Sequence, residues 1–293
     1  MSIMKKLELE QSPSGIWQFF YHEEIEEESV VEKFYHGVDL LDIAPDHAEL
    51  IFKELIKTFP YYINAYAHLS LAFKNQEKFF ESLITAEKGY QIGKNLFPKK
   101  FKLGKDTLEW SVFSNRPFLR ATLVYAMELG RENQILKSIE LCEEILLLNK
   151  NDHQGTRDYL LSILADNKLY DQAIDLIKRY PEEPSINFRY VELGLGIIKN
   201  WKQDVLKGLL DRAIKANEHL PSILMARNPK EPILMDRDGP AEIYGIPIGT
   251  KLEAYWFFKE HKNFLKQKKI KLWLNENMVE IPLYDPIELL KRS

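Results

Sequence analysis

The stretch Pro45-Asp-His-Ala-Glu-Leu-Ile-Phe-Lys-Glu-Leu-Ile-Lys-Thr-Phe-Pro60 carries the pattern that decides the fold. A small residue, Ala48, is followed by apolar Phe52 and Leu55, four and seven positions later, before a proline ends the segment. Apolar residues at this spacing lie on one face of an α-helix. The segment therefore predicts an amphipathic helix with a small residue on its buried face.

The pattern recurs at nearly constant intervals. The later small residues are Ser82, Ser138, Ala173 and, more weakly, Gly208. The first interval is 34 residues and the last two are 35, while the long step of 56 residues before Ser138 equals one period plus 22. A period of about 34 residues with helix–turn–helix units is typical of tetratricopeptide repeats. A non-repetitive helical bundle with accidental spacing is the alternative.

A first helix is predicted before each small-residue helix, because two antiparallel helices cross closely only where a side chain is small. The predicted first helices are Val31–Ala44, Ile63–Asn75, Arg116–Gly130, Gln154–Asn167 and Ile186–Asn200. The fold class is therefore all-α, a right-handed αα superhelix of tetratricopeptide-like helix pairs over residues 31–218.

The extra residues of the 56-residue interval before Ser138 fall at residues 95–115. Trp110 and Phe113 lie in this segment and require apolar cover. The segment also lacks the Ser/Gly-rich composition of a flexible linker. We therefore predict an ordered excursion that packs on the superhelix.

Both chain ends alternate apolar and polar residues, which is a strand pattern. Leu7–Glu10 and Ile16–Tyr21 flank a turn, and Lys271–Leu274 and Val279–Tyr284 alternate in the same way. A small sheet built from both ends is one interpretation. A frayed N-terminal arm with a helix over Phe264–Leu274 is the other, because short apolar runs suit either structure.

Prolines and glycines interrupt residues 218–248 so densely that no regular element is expected there. A helix resumes at Lys251–Phe258 and should cap the superhelix, since a terminal repeat would otherwise expose its outer face. The predicted organisation is an N-terminal arm or hairpin at 1–30, helical repeats at 31–218, and a Pro-rich segment with a helical cap at 219–293.

The composition limits the class of function. Apolar and aromatic residues make up 45% of the chain, too many for a disordered protein. A net charge of −4 argues against nucleic-acid binding, which needs surplus Lys and Arg. The sequence contains no apolar run of membrane-helix length and no secretory signal, and its single cysteine, Cys142, suits a reducing compartment. We expect a cytoplasmic protein that binds neither nucleic acid nor membrane.

Four segments together resemble a known family. They are Asn115–Ala121, Leu148–Leu161, Ala216–Pro221, and Gly249–Tyr255 with the later Trp273-Leu274. Their order and spacing are similar to bacterial tetratricopeptide-like proteins related to the suppressor-of-tumorigenicity 7 proteins of animals. Lys150 and His153 replace a proline and an asparagine that are usual in that group. The resemblance implies a helical-repeat interaction protein without assigned catalytic residues.

No motif for chemistry stands out. The chain has no Gly-rich phosphate loop and no CxxC or HExxH zinc motif. Its seven histidines are scattered, and Cys142 occupies an apolar helix position. We therefore predict no catalytic residue, no metal and no cofactor.

Arginine is scarce, with ten residues against thirty lysines, yet it recurs in three consecutive predicted first helices. The arginines concerned are Arg116, Arg120, Arg157 and Arg189. First helices line the concave face of such a superhelix, and guanidinium groups bind carboxylates in a bidentate manner. The four arginines are therefore predicted to bind an acidic or C-terminal carboxylate group of a partner. The alternative is that Arg157 and Arg189 brace helices or loops, for example through Asp152 or Asp158.

The sequence thus predicts a non-catalytic scaffold that binds a partner peptide or protein segment in the concave groove. Two alternatives stay open. The first is an enzyme whose active site lies under the Pro-rich C-terminal segment, where acids near Asp236 and Asp238 would have perturbed pKa values. The second is a structural protein that self-assembles through exposed aromatic residues at its ends.

Overall fold

A computed structural model describes residues 7–226, 228–232 and 248–277. These residues are mostly α-helical and include a two-stranded sheet. The predicted all-α class, built from tetratricopeptide-like helix pairs, is therefore confirmed. The chain groups into two compact units that divide after Leu160, which we call the N-terminal unit and the C-terminal unit.

The N-terminal unit begins with a β-hairpin and continues with helix pairs. Strands β1 (Leu7–Gln11) and β2 (Trp17–Tyr21) are antiparallel, with Leu7 opposite Tyr21. The helices that follow are α1 (Glu28–Asp39), α2 (Pro45–Thr58), α3 (Ile63–Asn75), α4 (Phe79–Lys94), α5 (Arg116–Arg131) and α6 (Ile135–Leu148). Consecutive helices pack on each other, and α3 also contacts α5. The first helices α3 and α5 therefore lie side by side in one layer.

The C-terminal unit is organised around one buried helix. Helix α7 (Thr156–Asp166) contains the division between the units. The later helices are α8 (Tyr170–Arg179), α9 (Ile186–Ile198), α10 (Gln203–Ala216), α11 (Leu220–Met225), α12 (Lys251–Glu260), α13 (Lys262–Leu265) and α14 (Lys268–Asn277). Helix α9 is buried along most of its length and contacts α8, α10, α12 and α14. The predicted domain boundaries at residues 30/31 and 218/219 stay predictions.

The four strong small residues are all buried at the same position of a second helix, as predicted. Each is the fourth residue of a second helix and is fully buried, in the order Ala48, Ser82, Ser138 and Ala173. Ser82 Oγ donates to the carbonyl oxygen of Ser70 on α3 at 2.8 Å, and Ser138 Oγ donates to the carbonyl oxygen of Ala126 on α5 at 2.6 Å. A small side chain thus lets two backbones approach without leaving a polar group unpaired.

The weaker fifth position, Gly208, does not mark a crossing. Gly208 is exposed, and a Cβ added to it would touch nothing within 4 Å. The fourth residue of α10 is Leu206, and the space at this crossing comes from Gly196 on α9. A Cβ at Gly196 would approach Leu206 Cδ2 to 2.9 Å. In this pair, the small residue that makes room for the crossing therefore lies on the first helix.

The turns inside the pairs repeat a feature that the sequence analysis missed. Four turns between a first and a second helix contain one residue with positive φ, between 57° and 62°, namely Glu77, Asn133, Lys168 and Asn200. In the first of these turns, Glu77 N donates to Lys74 O and Lys78 N donates to Phe73 O. This pair of bonds is the Schellman motif, which satisfies the last carbonyls of a helix and reverses the chain.

Residues 95–115 form the predicted excursion outside the helix pairs. All of them are described, and none belongs to an α-helix. Leu108 is fully buried, its backbone N donates to Leu148 O at 2.8 Å, and Trp110 is half-buried. The expectation of apolar cover is wrong for Phe113, which is 73% exposed. The ring of Phe113 instead contacts a guanidinium group, described below.

The stretches near the two chain ends form different secondary structures. The N-terminal hairpin is confirmed, but a sheet shared with the C-terminal end is wrong for Lys271–Leu274, because this stretch lies in α14 and packs through Ile270 and Leu274. The expectation of no regular element within residues 218–248 is also wrong, since α11 forms with Pro221 in its first turn, where a missing N–H is tolerated. Val279–Tyr284, Asp236 and Asp238 lie outside the described residues.

Replacing Ala173 with Leu should destabilise the protein by about 1–3 kcal/mol, because the larger side chain overpacks a crossing with no free space. Chemical denaturation measures the effect. Gly208→Ala is the matched control, since its Cβ enters open space in an exposed helix position. That variant should be neutral or more stable by up to about 1 kcal/mol. Equal stability of the Ala173→Leu variant and the parent would contradict the assigned repeat register.

Candidate functional site

The candidate site lies at the start of α5, whose position is fixed by Asn115. This buried residue directly precedes the helix. Its side chain accepts one hydrogen bond from strand β2 and donates another to it. Its Oδ1 accepts a hydrogen bond from Phe19 N at 3.1 Å, and its Nδ2 donates to Trp17 O at 3.1 Å. Pro117 in the first turn favours helix initiation. The hairpin and the start of α5 are therefore held together.

The guanidinium group of Arg116 contacts two aromatic rings. Its guanidinium carbon lies 5.2 Å from the ring centroid of Trp110 and 4.1 Å from that of Phe113. Its Nε donates to the carbonyl oxygen of Trp110 at 2.9 Å. Cation–π contact stabilises such an arrangement and keeps the long side chain in one position. The remaining N–H groups of Arg116 can still donate to a ligand.

Arg120 lies one helical turn further, with its guanidinium carbon 5.8 Å from the same Trp110 ring. The side chain is half-buried and donates to Asn64 Oδ1 on α3. Burial lowers the pKa of Arg120, and the neighbouring charge of Arg116 acts in the same direction. Within the described part of the chain, neither Arg116 nor Arg120 forms an ion pair with a carboxylate.

Polar aromatic side chains surround Arg120. The hydroxyl groups of Tyr21, Tyr35 and Tyr62 all lie within electrostatic range of its charge. His68 is buried nearby, where it bonds to the carbonyl oxygen of Asn64 at 2.8 Å, and burial lowers its pKa to about 4. His68 is therefore neutral at physiological pH. The site thus combines hydrogen-bond donors with positive charge that has no counter-ion among the described residues.

Arg157, in contrast, already has an acidic partner. Its Nη1 lies 3.3 Å from Asp152 Oδ2, and its backbone N donates to the same oxygen at 2.8 Å. Asp152 also accepts from Thr156 N at 2.8 Å, so it caps the start of α7. This arrangement corresponds to the bracing alternative, while a role in carboxylate binding stays a prediction.

Arg189 belongs to the C-terminal unit and has partners of its own. Its Nη1 lies 3.6 Å from Glu192 Oε2, and its Nη2 donates to the carbonyl oxygen of Pro181 at 3.2 Å. Arg212 approaches the same Glu192 oxygen at 3.5 Å. Arg189 also lines a cavity of about 440 Å³ together with Arg212 and Lys215. Of the four predicted arginines, the structure brings Arg116 and Arg120 together on Trp110.

The described residues offer little for covalent or metal chemistry. Cys142 is buried, and burial raises the pKa of its thiol. His261 lies 3.2 Å from Ser162 Oγ, but both its burial and its pKa, lowered to about 4, favour a structural role. No group of three or more His, Cys, Asp or Glu in the described ranges is arranged to hold a metal ion. Among the helices described, none is both long and apolar enough to cross a membrane.

Sequence reasoning identified Arg116 and Arg120 but missed the residues that complete their site. Tyr21 and Asn64 come from the hairpin and from α3, far from α5 in the chain. Trp110 was noted only as an apolar side chain that needs cover. The available signal was indirect: an aromatic pair directly before an arginine pair at helical spacing favours cation–π contact.

Replacing Arg157 with Ala should lower the free energy of unfolding by about 1–2 kcal/mol, because it removes a charged partner from buried Asp152. Thermal denaturation measures the change. Lys178→Ala is the control, since its ion pair with Asp175 is exposed and should contribute less than about 0.5 kcal/mol. An unchanged melting temperature for Arg157→Ala would reject the bracing role.

Replacing Asp166 with Asn should stabilise the protein at pH 7.5. Burial, with the nearby charge of Glu260, raises the pKa of Asp166 to about 6. The folded state therefore binds this proton more tightly than the unfolded state, and the contribution of Asp166 to stability falls as the pH rises from about 4 to 6. The variant should gain up to about 3 kcal/mol well above pH 6 and nothing near pH 4.

Comparison with known proteins identifies a family and a similar fold among solved structures. A search of proteins with curated descriptions finds no match. Among solved structures, the chain is similar to "Crystal structure of YrrB: a TPR protein with an unusual peptide-binding site", with 16% identity and a TM-score of 0.43 over 66% of this chain and 90% of that chain.

The family model for Tcf25, described as "Transcriptional repressor TCF25", matches residues 19–228. This span includes most of the chain and begins within strand β2. The matching family is not the suppressor-of-tumorigenicity 7 group that the sequence resembled, so that part of the expectation is corrected, while its helical-repeat character stands. The chain belongs to the Tcf25 family.

Proposed function

We propose that this protein is a non-catalytic interaction scaffold. Its docking surface is the layer of first helices in the N-terminal unit. There it binds a partner peptide or protein segment through an acidic or C-terminal carboxylate group. The observation that carries the proposal is the set of contacts that Arg116 and Arg120 make. They are adjacent on α5, they share Trp110, and neither has a carboxylate partner among the described residues.

The chemistry of the site favours an anionic ligand. A guanidinium group presents its N–H donors in a planar fork that matches the two oxygens of a carboxylate. Partial burial of Arg120 makes such a bond stronger than one on a fully hydrated surface. Trp110 and Phe113 restrict Arg116, so less side-chain entropy is lost on binding. The exposed Phe113 ring adds apolar area beside the charge.

The proposal separates the four predicted arginines into two groups. Arg116 and Arg120 bind the partner, whereas Arg157 and Arg189 brace the fold through Asp152 and Glu192. The family description, which names a transcriptional repressor, is compatible with a scaffold that acts through other proteins.

Selection from a random peptide library with free C-termini tests the proposal. The selected peptide should bind the parent protein at least tenfold more tightly as the free acid than as the C-terminal amide. Arg120→Gln should weaken binding of the free acid by about ten- to a hundredfold, since a hydrogen bond to a charged group contributes about 1.5–3 kcal/mol. Isothermal titration calorimetry measures both effects.

Arg157→Ala provides the matched control because the proposal assigns that arginine to the fold. This variant should keep its affinity for the peptide while its melting temperature falls. Equal binding of the acid and the amide would contradict the carboxylate requirement. A loss of affinity in Arg157→Ala as large as in Arg120→Gln would contradict the division of roles.

A further inference from the structure

The excursion before α5 carries an exposed group of lysines, which we call the lysine loop. It consists of residues 99–105, and four of these seven residues are lysines in a chain whose net charge is −4. All four side chains are exposed, namely those of Lys99, Lys100, Lys102 and Lys105. Among the described residues, none of the four forms an ion pair with a carboxylate. The lysine loop therefore concentrates positive charge that the described part of the chain leaves without a counter-ion.

Backbone hydrogen bonds give the lysine loop a defined turn. Asp106 closes this turn, because its Oδ2 accepts from Lys102 N at 2.6 Å and its own backbone N donates to Lys102 O at 2.8 Å. At the start of the loop, Phe101 N donates to Pro98 O at 2.9 Å. The carboxylate of Asp106 thus bonds to the backbone of the loop and not to an ammonium group. Like charges repel, so these bonds hold together lysines that would otherwise separate.

Aromatic packing anchors the lysine loop to the N-terminal hairpin. The ring centroid of Phe101 lies 5.3 Å from that of Trp17 and 4.8 Å from that of Phe97. Trp17 is buried, and Lys100 Nζ lies 5.1 Å from its ring centroid. The carbonyl oxygen of Trp17 accepts a hydrogen bond from Asn115 Nδ2 at 3.1 Å. The lysine loop is therefore attached to the same strand and the same helix start that position the candidate site.

The charge of the loop fits an acidic protein segment. Four ammonium groups on a defined turn suit a run of carboxylate groups, since complementary charge steers and orients association. Leu103, between the lysines, is 47% exposed and offers apolar contact to the side chains of such a segment. Nucleic acid fits less well, because the loop contains no arginine and the neighbouring Trp17 ring is buried, so a base cannot stack on it.

We propose that the lysine loop is a second docking surface of this protein and that it binds a run of aspartate or glutamate residues in a protein partner. This surface goes beyond the proposed function, because its cations and its ligand differ from those assigned to Arg116 and Arg120. It requires no free C-terminus in the partner. Its binding is sensitive to ionic strength, since exposed ion pairs are screened by salt.

An octaglutamate peptide, acetylated at its N-terminus and amidated at its C-terminus, tests the proposal because it has acidic side chains and no terminal carboxylate. Fluorescence anisotropy of the labelled peptide measures its affinity at low ionic strength. The loop variant combines Lys99→Gln, Lys100→Gln, Lys102→Gln and Lys105→Gln. Its affinity for the peptide should fall about tenfold, because each of the four exposed ion pairs contributes little. Addition of about 0.5 M NaCl should weaken binding by the parent protein to a similar degree.

The matched control removes the same amount of charge from the C-terminal unit. It combines four exposed positions of residues 262–271, as Lys262→Gln, Lys266→Gln, Lys268→Gln and Lys271→Gln. The control should bind the peptide nearly as tightly as the parent protein, and both variants should keep its melting temperature, since exposed lysines contribute little to stability. A loss of affinity in the control as large as in the loop variant would overturn the proposal, and so would full affinity in the loop variant.

A smaller variant keeps the test valid if the four replacements lower the melting temperature. Lys102→Gln combined with Lys105→Gln leaves the contact between Lys100 and Trp17 in place. Its affinity for the peptide should fall less than that of the loop variant but in the same direction. Unchanged affinity in this folded double variant would overturn the proposal.

Other probes separate the lysine loop from the candidate site and from other polyanions. A loss of octaglutamate binding confined to Arg120→Gln would place the acidic segment at the candidate site and overturn the role of the lysine loop. Equal binding of acid and amide by the library-selected peptide would instead overturn the proposed function and leave the lysine loop standing. Tighter, loop-dependent binding of an oligouridylate or of phosphatidylserine vesicles would overturn the assignment to a protein partner.

Discussion

The close approach of paired helices at one small, buried position is the constraint on which the rest of the structure depends. The position is the fourth residue of α2, α4, α6 and α8, and the side chain there is alanine or serine. At the serine positions the hydroxyl bonds to a backbone carbonyl of the facing helix, so close packing costs no unpaired polar group. A larger residue would separate the helices and expose the apolar faces that stabilise each pair.

The close packing of the helices positions the residues of the candidate site. Because α3 and α5 lie side by side, Asn64 on one can bond to Arg120 on the other. The excursion before α5 brings Trp110 under both Arg116 and Arg120 without interrupting the helix pairs. The repeat supplies a rigid frame, and the irregular segment supplies the aromatic contacts that hold the charges in place.

The arginines differ in the chemical groups that they contact. Asp152 and Glu192 neutralise Arg157 and Arg189, as is usual for charges that stabilise a fold. Arg120 instead faces tyrosine hydroxyls and an amide, all neutral, in a half-buried setting. Such an arrangement is less favourable for folding alone than a paired charge. Unsatisfied groups of this kind concentrate where a protein meets a ligand.

The sequence by itself determined the helix pairs, their period and the position of the excursion, because these depend on local spacing and turn chemistry. It left the N-terminal hairpin open against a frayed arm. It also singled out Arg116 and Arg120 as candidates, because arginine recurs in consecutive first helices of an arginine-poor chain. Only the tertiary structure decided which arginines lack acidic partners among the described residues, since Asn64 on α3 bonds to Arg120 from a distant part of the chain. It likewise decided that Lys271–Leu274 is helical and that Gly196, not Gly208, makes room at the last crossing. Both outcomes depend on packing against other helices, which no local pattern encodes.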